Sequence, residues 1–314
     1  MFDVTLDTPT GVITFNYIIY HPQFADRELR RFNLVALDLR CHGRTVGPVG
    51  PGYDREVAAR DVHQFMEALQ IPQYHLFGMS MGGCIALQTA IFFPEAVQSI
   101  FVVSPLPLTE PPDVAEGRQE IFDCWVEGVR SGDSISSGAM GDSIMGALQL
   151  SVNGQPSRIF KAMLRRSIDI MPQQWGDIDR MDELHTVFVD FFTRREAYTA
   201  SALQRIACPV KLVHCLDDIA YMPETTELVA ARMRAAHVTV DVEYVPGAPH
   251  FGATTHPKEI NEIFHRFMLM CCTSIPPPIP DCVESPFAEE LAAALSMDSD
   301  SGSDSDNEDR EFFI

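Results

Sequence analysis

The chain of 314 residues is 46% hydrophobic and 21% charged, a composition typical of a globular protein with one large core and an insertion. Its formal net charge is −21, and about half of that charge lies from Asp281 onward, where acidic side chains are opposed by Arg310 alone. An acidic protein repels phosphate backbones and anionic lipid surfaces, so the composition argues against binding to nucleic acid or to a membrane. No apolar run reaches the roughly 18 residues that a membrane-spanning helix needs.

The cysteines and the N-terminal segment bear on compartment and cofactors. Eight cysteines are scattered along the chain without a Cys-x-x-Cys pair, a pattern typical of reduced thiols and not of a zinc site. The N-terminal residues lack the basic and apolar regions of a secretory signal peptide. The sequence therefore predicts a cytoplasmic protein with no metal and no other cofactor. No pattern in it predicts an oligomeric state.

The first 38 residues predict three strands. Residues 2–6 and 12–20 alternate between apolar and polar side chains on either side of a turn at residues 7–11, which indicates a hairpin. Residues 32–38 form an apolar run, which is typical of a parallel strand buried on both faces.

Residues 74–90 predict a strand, a sharp turn and a helix around the motif Gly-x-Ser-x-Gly centred on Ser80. Small residues at Gly78 and Gly82 would let the strand and the helix approach closely. The motif also occurs by chance in loops, so its interpretation depends on its context. The segment before it has apolar residues at helical spacing, and the order helix, strand, turn, helix favours a nucleophile elbow with an exposed serine hydroxyl.

Strands and helices then alternate, which predicts an α/β fold with a mostly parallel sheet flanked by helices. Residues 105–205 interrupt this alternation with apolar residues at helical spacing and no strand-like run, and we interpret them as a helical cap. Residues 1–104 and 206–273 would form the core. Residues 274–314 are proline-rich and then acidic, and they are expected to be a disordered tail.

Two loops after predicted strands carry the groups that would activate a serine. A serine hydroxyl needs a base, and the base needs an acid that orients it. Asp218 follows one strand and His250 follows the next, so the chain order is Ser, Asp, His. Alternatives are open at both positions. Asp217 is a second candidate for the acid, and His42 and His256 are further candidates for the base.

These motifs, taken together, resemble the α/β-hydrolase superfamily, and within it the small esterase, enol-lactonase and haloperoxidase-like group. The matching segments are residues 35–44 (VALDLRCHGR), 78–83 (GMSMGG), 216–218 (LDD) and 247–251 (GAPHF). The resemblance implies that Ser80 is the nucleophile, His250 the base and Asp218 its orienting acid. It also implies that the backbone amide of Met81 donates to the oxyanion.

One family feature is absent. The family has a further buried strand before the Asp-x-Arg strand, and a turn after it supplies a second oxyanion amide, but the chain has no room for this strand between Tyr20 and Phe32. If residues 12–20 take its place, the amide of Gln23 can serve, because Pro22 has no N–H. If residues 12–20 stay in an edge hairpin, the central sheet has a gap. The clean alternation favours the hairpin.

The resemblance implies a cofactor-independent serine hydrolase that cleaves a small-molecule ester, thioester or lactone of a small apolar acid through an acyl-enzyme. A catalytically impaired relative that keeps the fold as a binding module is the alternative of a different class. Acyl transfer and carbon–carbon bond hydrolysis are further reactions that the same three residues can support.

Overall fold

The computed structural model describes residues 2–20, 32–134 and 137–272. The predicted disordered tail and Gln23 lie outside these residues. The strands are β1 (Phe2–Thr8), β2 (Gly11–Tyr20), β3 (Leu34–Leu37), β4 (Tyr74–Met79), β5 (Val97–Val103), β6 (Val210–Cys215) and β7 (Val240–Val245). The helices are α1 (Arg55–Ala68), α2 (Met81–Phe92), α3 (Pro112–Ser131), α4 (Gly138–Val152), α5 (Arg158–Trp175), α6 (Met181–His185), α7 (Phe191–Thr193), α8 (Ala200–Leu203), α9 (Pro223–Ala235), α10 (Gly252–Thr255) and α11 (Pro257–Cys271).

The strands of the described residues form two sheets. β4, β5, β6 and β7 lie side by side in that order, and every neighbouring pair is parallel. β1, β2 and β3 form a separate antiparallel sheet. The predicted hairpin is confirmed, with Phe2 opposite Tyr17 and Thr8 opposite Gly11. The predicted α/β fold is confirmed as well.

The interpretation of residues 32–38 as a parallel strand buried on both faces is wrong. β3 runs antiparallel to β2, with Leu37 opposite Tyr17, and the side chain of Ala36 is exposed. β2 pairs with β1 on one side and with β3 on the other, so the hairpin and the pairing with residues 32–38 occur together.

A discontinuity separates β3 from β4. Among the described residues these strands belong to different sheets, so β4, which leads to Ser80, is an edge strand of the parallel sheet. Phe77 at the middle of β4 is 44% exposed, whereas the corresponding Phe101 of β5 is fully buried. The expected gap in the sheet is therefore seen in the described part of the chain.

The parallel sheet is covered by helices on both faces. Apolar side chains of α1, α2 and α9 pack with Ile100, Val102 and Leu212 of the central strands. Side chains of α11 pack with Phe101 and Val213, which project from the opposite face. Every residue of β6 is buried, as expected for a central strand of such a sheet.

Helices α3 to α8 lie between β5 and β6 in the chain, and the described residues of this stretch contain no strand. They share an apolar cluster with the start of α2, and Trp125, Leu148 and Phe191 belong to it. The boundaries of the proposed cap, residues 105–205, stay a prediction. Within the described ranges, no helix has both the length and the apolar character needed to cross a bilayer.

Candidate active site

Ser80 occupies the sharp turn between β4 and α2. Its backbone φ of 53° is positive, which is uncommon and strained for a residue with a side chain. The amide of Ser80 stabilises the turn by donating to the carbonyl of Val103 on β5 at 2.9 Å. The expected exposure of the hydroxyl is wrong, because Ser80 is only 7% exposed. Met81 beside it packs against the apolar cluster that contains Trp125, so helices from the 105–205 stretch lie over the elbow.

The close approach of strand and helix depends on Gly78 of the motif and on Gly83, which directly follows the motif and lies against β5. A Cβ on Gly78 would lie 2.3 Å from the carbonyl of Gly82, and one on Gly83 would lie 2.3 Å from a methyl group of Val102. The sequence predicts this role for Gly78 and Gly82, and the prediction holds at Gly78. A Cβ on Gly82 would meet nothing within 4 Å.

We expect Gly78→Ala to lower the free energy of unfolding by about 1–3 kcal/mol, because backbone atoms must move to accept the added methyl group. Gly82→Ala is the matched control and should leave stability unchanged or slightly raised, since alanine is the better helix former. Urea unfolding of both variants measures the difference. Equal loss in the two would show that the elbow does not depend on this contact.

A continuous chain of hydrogen bonds joins the three predicted side chains. Nε2 of His250 lies 2.8 Å from the hydroxyl oxygen of Ser80, and Nδ1 lies 2.6 Å from a carboxylate oxygen of Asp218. A carboxylate can only accept, so Nδ1 carries the proton and Nε2 is left to accept from the serine hydroxyl. All three residues are buried, at 2% exposure for His250 and 4% for Asp218.

The second carboxylate oxygen of Asp218 is held by the backbone. It accepts from the amides of Ala220 at 3.0 Å and Tyr221 at 3.1 Å, in the loop between β6 and α9. Asp217 is exposed, and its amide donates to the carbonyl of Ala248. The geometry thus distinguishes the two candidates for the acid, since Asp218 is the one in contact with His250.

The other two candidate histidines have different partners. Nδ1 of His42 lies 2.8 Å from the carbonyl of Arg40, within its own loop. Nδ1 of His256 lies 3.0 Å from the hydroxyl of Thr255. Of the three histidines, His250 is the one that reaches Ser80.

Ser104, which is not among the predicted site residues, holds the backbone of the loop that carries His250. Its hydroxyl donates to the carbonyl of His250 at 2.5 Å, and its amide donates to Val213 on β6 at 2.8 Å. Ser104 follows β5 and has a positive φ of 50°. The sequence feature that could have indicated Ser104 is a serine placed directly after the apolar run of β5. The amide of Phe251, the residue after His250, donates a hydrogen bond to the carbonyl of Ser151 in α4.

Met81 is the first residue of α2, and its amide is one of the four that have no acceptor within a helix. The amides of Gly83 and Cys84 donate to the carbonyl of Ser80, at 3.0 and 3.2 Å. The N-terminus of α2 therefore directs partial positive charge to the region beside the serine hydroxyl. The other predicted oxyanion donor, Gln23, lies outside the described residues.

Cys215, at the end of β6, lies near the site but is a poor nucleophile. Burial raises the pKa of its thiol to about 11, so the thiol stays protonated near neutral pH.

As for metals, the described side chains include no group of three or more His, Cys, Asp or Glu that could hold an ion.

The family comparison agrees with the fold. Residues 12–146 match the model of the family described as alpha/beta hydrolase fold. A thermophilic esterase from Thermogutta terrifontis superposes with a TM-score of 0.59 at 15% sequence identity, covering 87% of this chain and 100% of that chain. The chain therefore has the α/β-hydrolase fold, and the expected resemblance to that superfamily is confirmed.

Two curated relatives show how far the sequence similarity extends. The chain is 36% identical over 74 residues to 3-oxoadipate enol-lactonase 2 of Acinetobacter baylyi, which covers 24% of this chain and 27% of the relative. It is 25% identical over 261 residues to a Synechocystis protein assigned by its name to the non-heme chloroperoxidases, covering 76% of this chain and 81% of the relative. In the first curated relatives, the matched segments span only 21–27% of the relatives' own length.

Proposed function

We propose that this protein is a serine hydrolase that cleaves an ester, thioester or lactone of a small apolar acid. The observation that carries the proposal is the hydrogen-bonded series Asp218, His250, Ser80, in which each contact is 2.8 Å or shorter. The serine sits at a strained strand-to-helix turn, and the other two residues come from loops that follow β6 and β7. This is the arrangement that nucleophilic acyl transfer requires.

In the proposed reaction His250 removes the hydroxyl proton as Ser80 attacks the carbonyl carbon. Asp218 stabilises the imidazolium that forms. The Met81 amide at the start of α2 donates a hydrogen bond to the carbonyl oxygen as negative charge develops on it. His250 then protonates the leaving alcohol or thiol, which leaves the acyl group on Ser80. A water molecule, deprotonated by His250, hydrolyses the acyl-enzyme and restores the serine.

The surroundings of the site support an apolar acyl group. Met81 and Phe251, which flank the serine and the histidine in the chain, pack against a cluster that includes Trp125, Ile144 and Leu148. Because Ser80 and His250 are nearly inaccessible, substrate entry would require side chains from the 105–205 stretch to move aside. The three residues supply the nucleophile, the base and the orienting acid, so the proposed reaction uses no cofactor. We also propose that the reaction takes place in the cytoplasm.

A specific observation favours an impaired catalyst as the second candidate. β4 is an edge strand among the described residues, and the discontinuity between β3 and β4 lies where the family has the strand that leads to the second oxyanion amide. Loss of one oxyanion donor costs roughly 100- to 1,000-fold in kcat. Acyl transfer or carbon–carbon hydrolysis on the same residues remains a third candidate.

We therefore expect slow esterase turnover, with Ser80 still able to accept an acyl group. A fluorophosphonate probe should add to Ser80 stoichiometrically, as read by intact mass and peptide mapping. A panel of p-nitrophenyl esters and lactones should give kcat well below the roughly 10 per second that is usual for enzymes. Turnover at the usual rate would show that a second donor is in place. No probe addition would favour the binding module, and ester formation with an added alcohol would favour acyl transfer.

A further inference from the structure

Tyr221 is a buried side chain in a loop that is otherwise largely exposed. In residues 216–222, between β6 and α9, the buried residues are Asp218 and Tyr221, whereas Ile219 and Met222 are 55% and 59% exposed. Tyr221 is only 1% exposed. Apart from the acid itself, its side chain is therefore the one buried group that attaches this loop to the interior of the protein.

Tyr221 contacts the proposed acid and the proposed base. Its backbone amide donates to the carboxylate of Asp218 at 3.1 Å. Its ring lies beside the imidazole of His250, with 5.2 Å between the ring centroids and 57° between the ring planes. This separation is within the range at which aromatic rings attract each other. A shift of the Tyr221 side chain would therefore move a surface against which the imidazole packs.

Two buried charged side chains hold the hydroxyl of Tyr221. The hydroxyl donates to the carboxylate of Glu110 at 2.8 Å and accepts from Nη2 of Arg118 at 3.0 Å. Nε of Arg118 donates to the same carboxylate oxygen at 2.7 Å. The side chains of Glu110 and Arg118 are 1% and 6% exposed, and hydrogen bonds to charged groups are strong in such surroundings. Burial raises the pKa of Tyr221, so its hydroxyl keeps the proton that it donates.

We propose that Tyr221 is a positioning residue for the reaction. Because Glu110 and Arg118 hold its hydroxyl, its ring stays against His250 and keeps the imidazole aligned with the serine. Glu110 directly precedes the Pro111-Pro112 start of α3, and Arg118 lies within that helix, so the position of α3 is linked to the alignment of the base. This role rests on the proposed function, but the alignment itself can be measured without a substrate.

The first test is Tyr221→Phe, which removes the hydroxyl and keeps the ring and the amide. It should lower kcat for the best ester substrate by roughly 10- to 100-fold, since a misplacement of about 1 Å can cost on the order of 100-fold, and KM should change little. The matched control is Tyr53→Phe. Tyr53 lies in the same apolar cluster, and its buried hydroxyl has no hydrogen-bond partner among the described residues, so this variant should keep wild-type kcat. Equal kcat in the two variants would overturn the proposal.

Proton NMR measures the alignment independently of turnover. The Nδ1 proton of His250 lies in a 2.6 Å hydrogen bond with Asp218 and should give a separate low-field resonance that is absent from His250→Ala. In Tyr221→Phe this resonance should move upfield or broaden by exchange with water, whereas in Tyr53→Phe it should stay in place. An unchanged resonance in Tyr221→Phe would overturn the proposal. If the wild-type chain shows no turnover but the resonance changes as expected, the proposed hydrolase function fails and the role of Tyr221 in aligning His250 is supported.

A double variant covers the case in which Tyr221→Phe does not fold because Glu110 and Arg118 each lose a partner. Tyr221→Phe combined with Arg118→Met replaces both partners of one hydrogen bond by apolar groups, a change that can be nearly neutral for stability. Glu110 keeps its ion pair with Arg195 at 3.2 Å. The double variant should show the same loss of kcat and the same change in the His250 resonance. A folded double variant with wild-type kcat and a wild-type resonance would overturn the proposal.

Discussion

Replacing Ser80 by alanine is expected to lower kcat for the best ester substrate by on the order of a millionfold, the loss seen when a member of a serine-protease triad is removed. The physical reason is that the acyl-enzyme cannot form without the hydroxyl that lies 2.8 Å from Nε2 of His250. His250→Ala should cause a loss of the same size, because the hydroxyl then has no base. The loss is measured as kcat in a p-nitrophenyl ester assay.

Covalent labelling provides a second readout, which is needed because slow wild-type turnover would bring both variants close to the uncatalysed rate. Ser80→Ala should show no fluorophosphonate adduct, and His250→Ala should label far more slowly than the wild-type chain. Ser167→Ala removes the same hydroxyl from an exposed position on α5 and should behave as wild type. Full activity in Ser80→Ala would refute the proposed nucleophile.

Asp218→Asn is expected to lower kcat by on the order of ten-thousandfold, the loss known for the equivalent change in serine proteases. A carboxylate accepts from Nδ1 of His250 and stabilises the imidazolium, whereas a neutral amide does neither well and favours the wrong tautomer. Asp217→Asn is the matched control from the adjacent position. Because Asp217 is exposed and does not contact His250, this variant should keep almost all activity.

The pair of variants is informative only with a check on folding. Both proteins should show melting temperatures within a few degrees of the wild type, since the side-chain oxygen introduced by Asp218→Asn can still accept from the amides of Ala220 and Tyr221. A larger loss in Asp217→Asn than in Asp218→Asn would reverse the assignment of the acid. Equal, small losses would mean that His250 is oriented by its backbone contacts, such as the one from Ser104.

The hairpin and the elbow were predictable because each depends on residues that are close together in the chain. The hairpin, β4, α2 and the position of Ser80 follow from side-chain periodicity and from a short glycine-containing motif. The order of Asp218 and His250 after successive strands was predictable for the same reason, since the carboxyl ends of parallel strands meet at one edge of a sheet. Their roles in catalysis stay a proposal.

The direction of β3 was predicted wrongly because it depends on a partner that is distant in the sequence. An apolar run of a few residues is compatible with a parallel or an antiparallel neighbour, and only the pairing with β2 decides between them. Likewise, exposure of Ser80 is decided by helices that arrive from the 105–205 stretch. Local patterning carries no information about what packs over a turn.

The sequence by itself determined the class of fold, the elbow and the three residues proposed for catalysis, because periodicity and motif spacing act over short distances. Only the tertiary structure shows that Asp218, and not the adjacent Asp217, contacts His250, since adjacent residues differ in direction and not in type. It also decided that β3 and β4 lie in separate sheets and that Arg195 is buried beside a single shared carboxylate. Such arrangements arise from long-range pairing and burial, which act between segments that are distant in the chain.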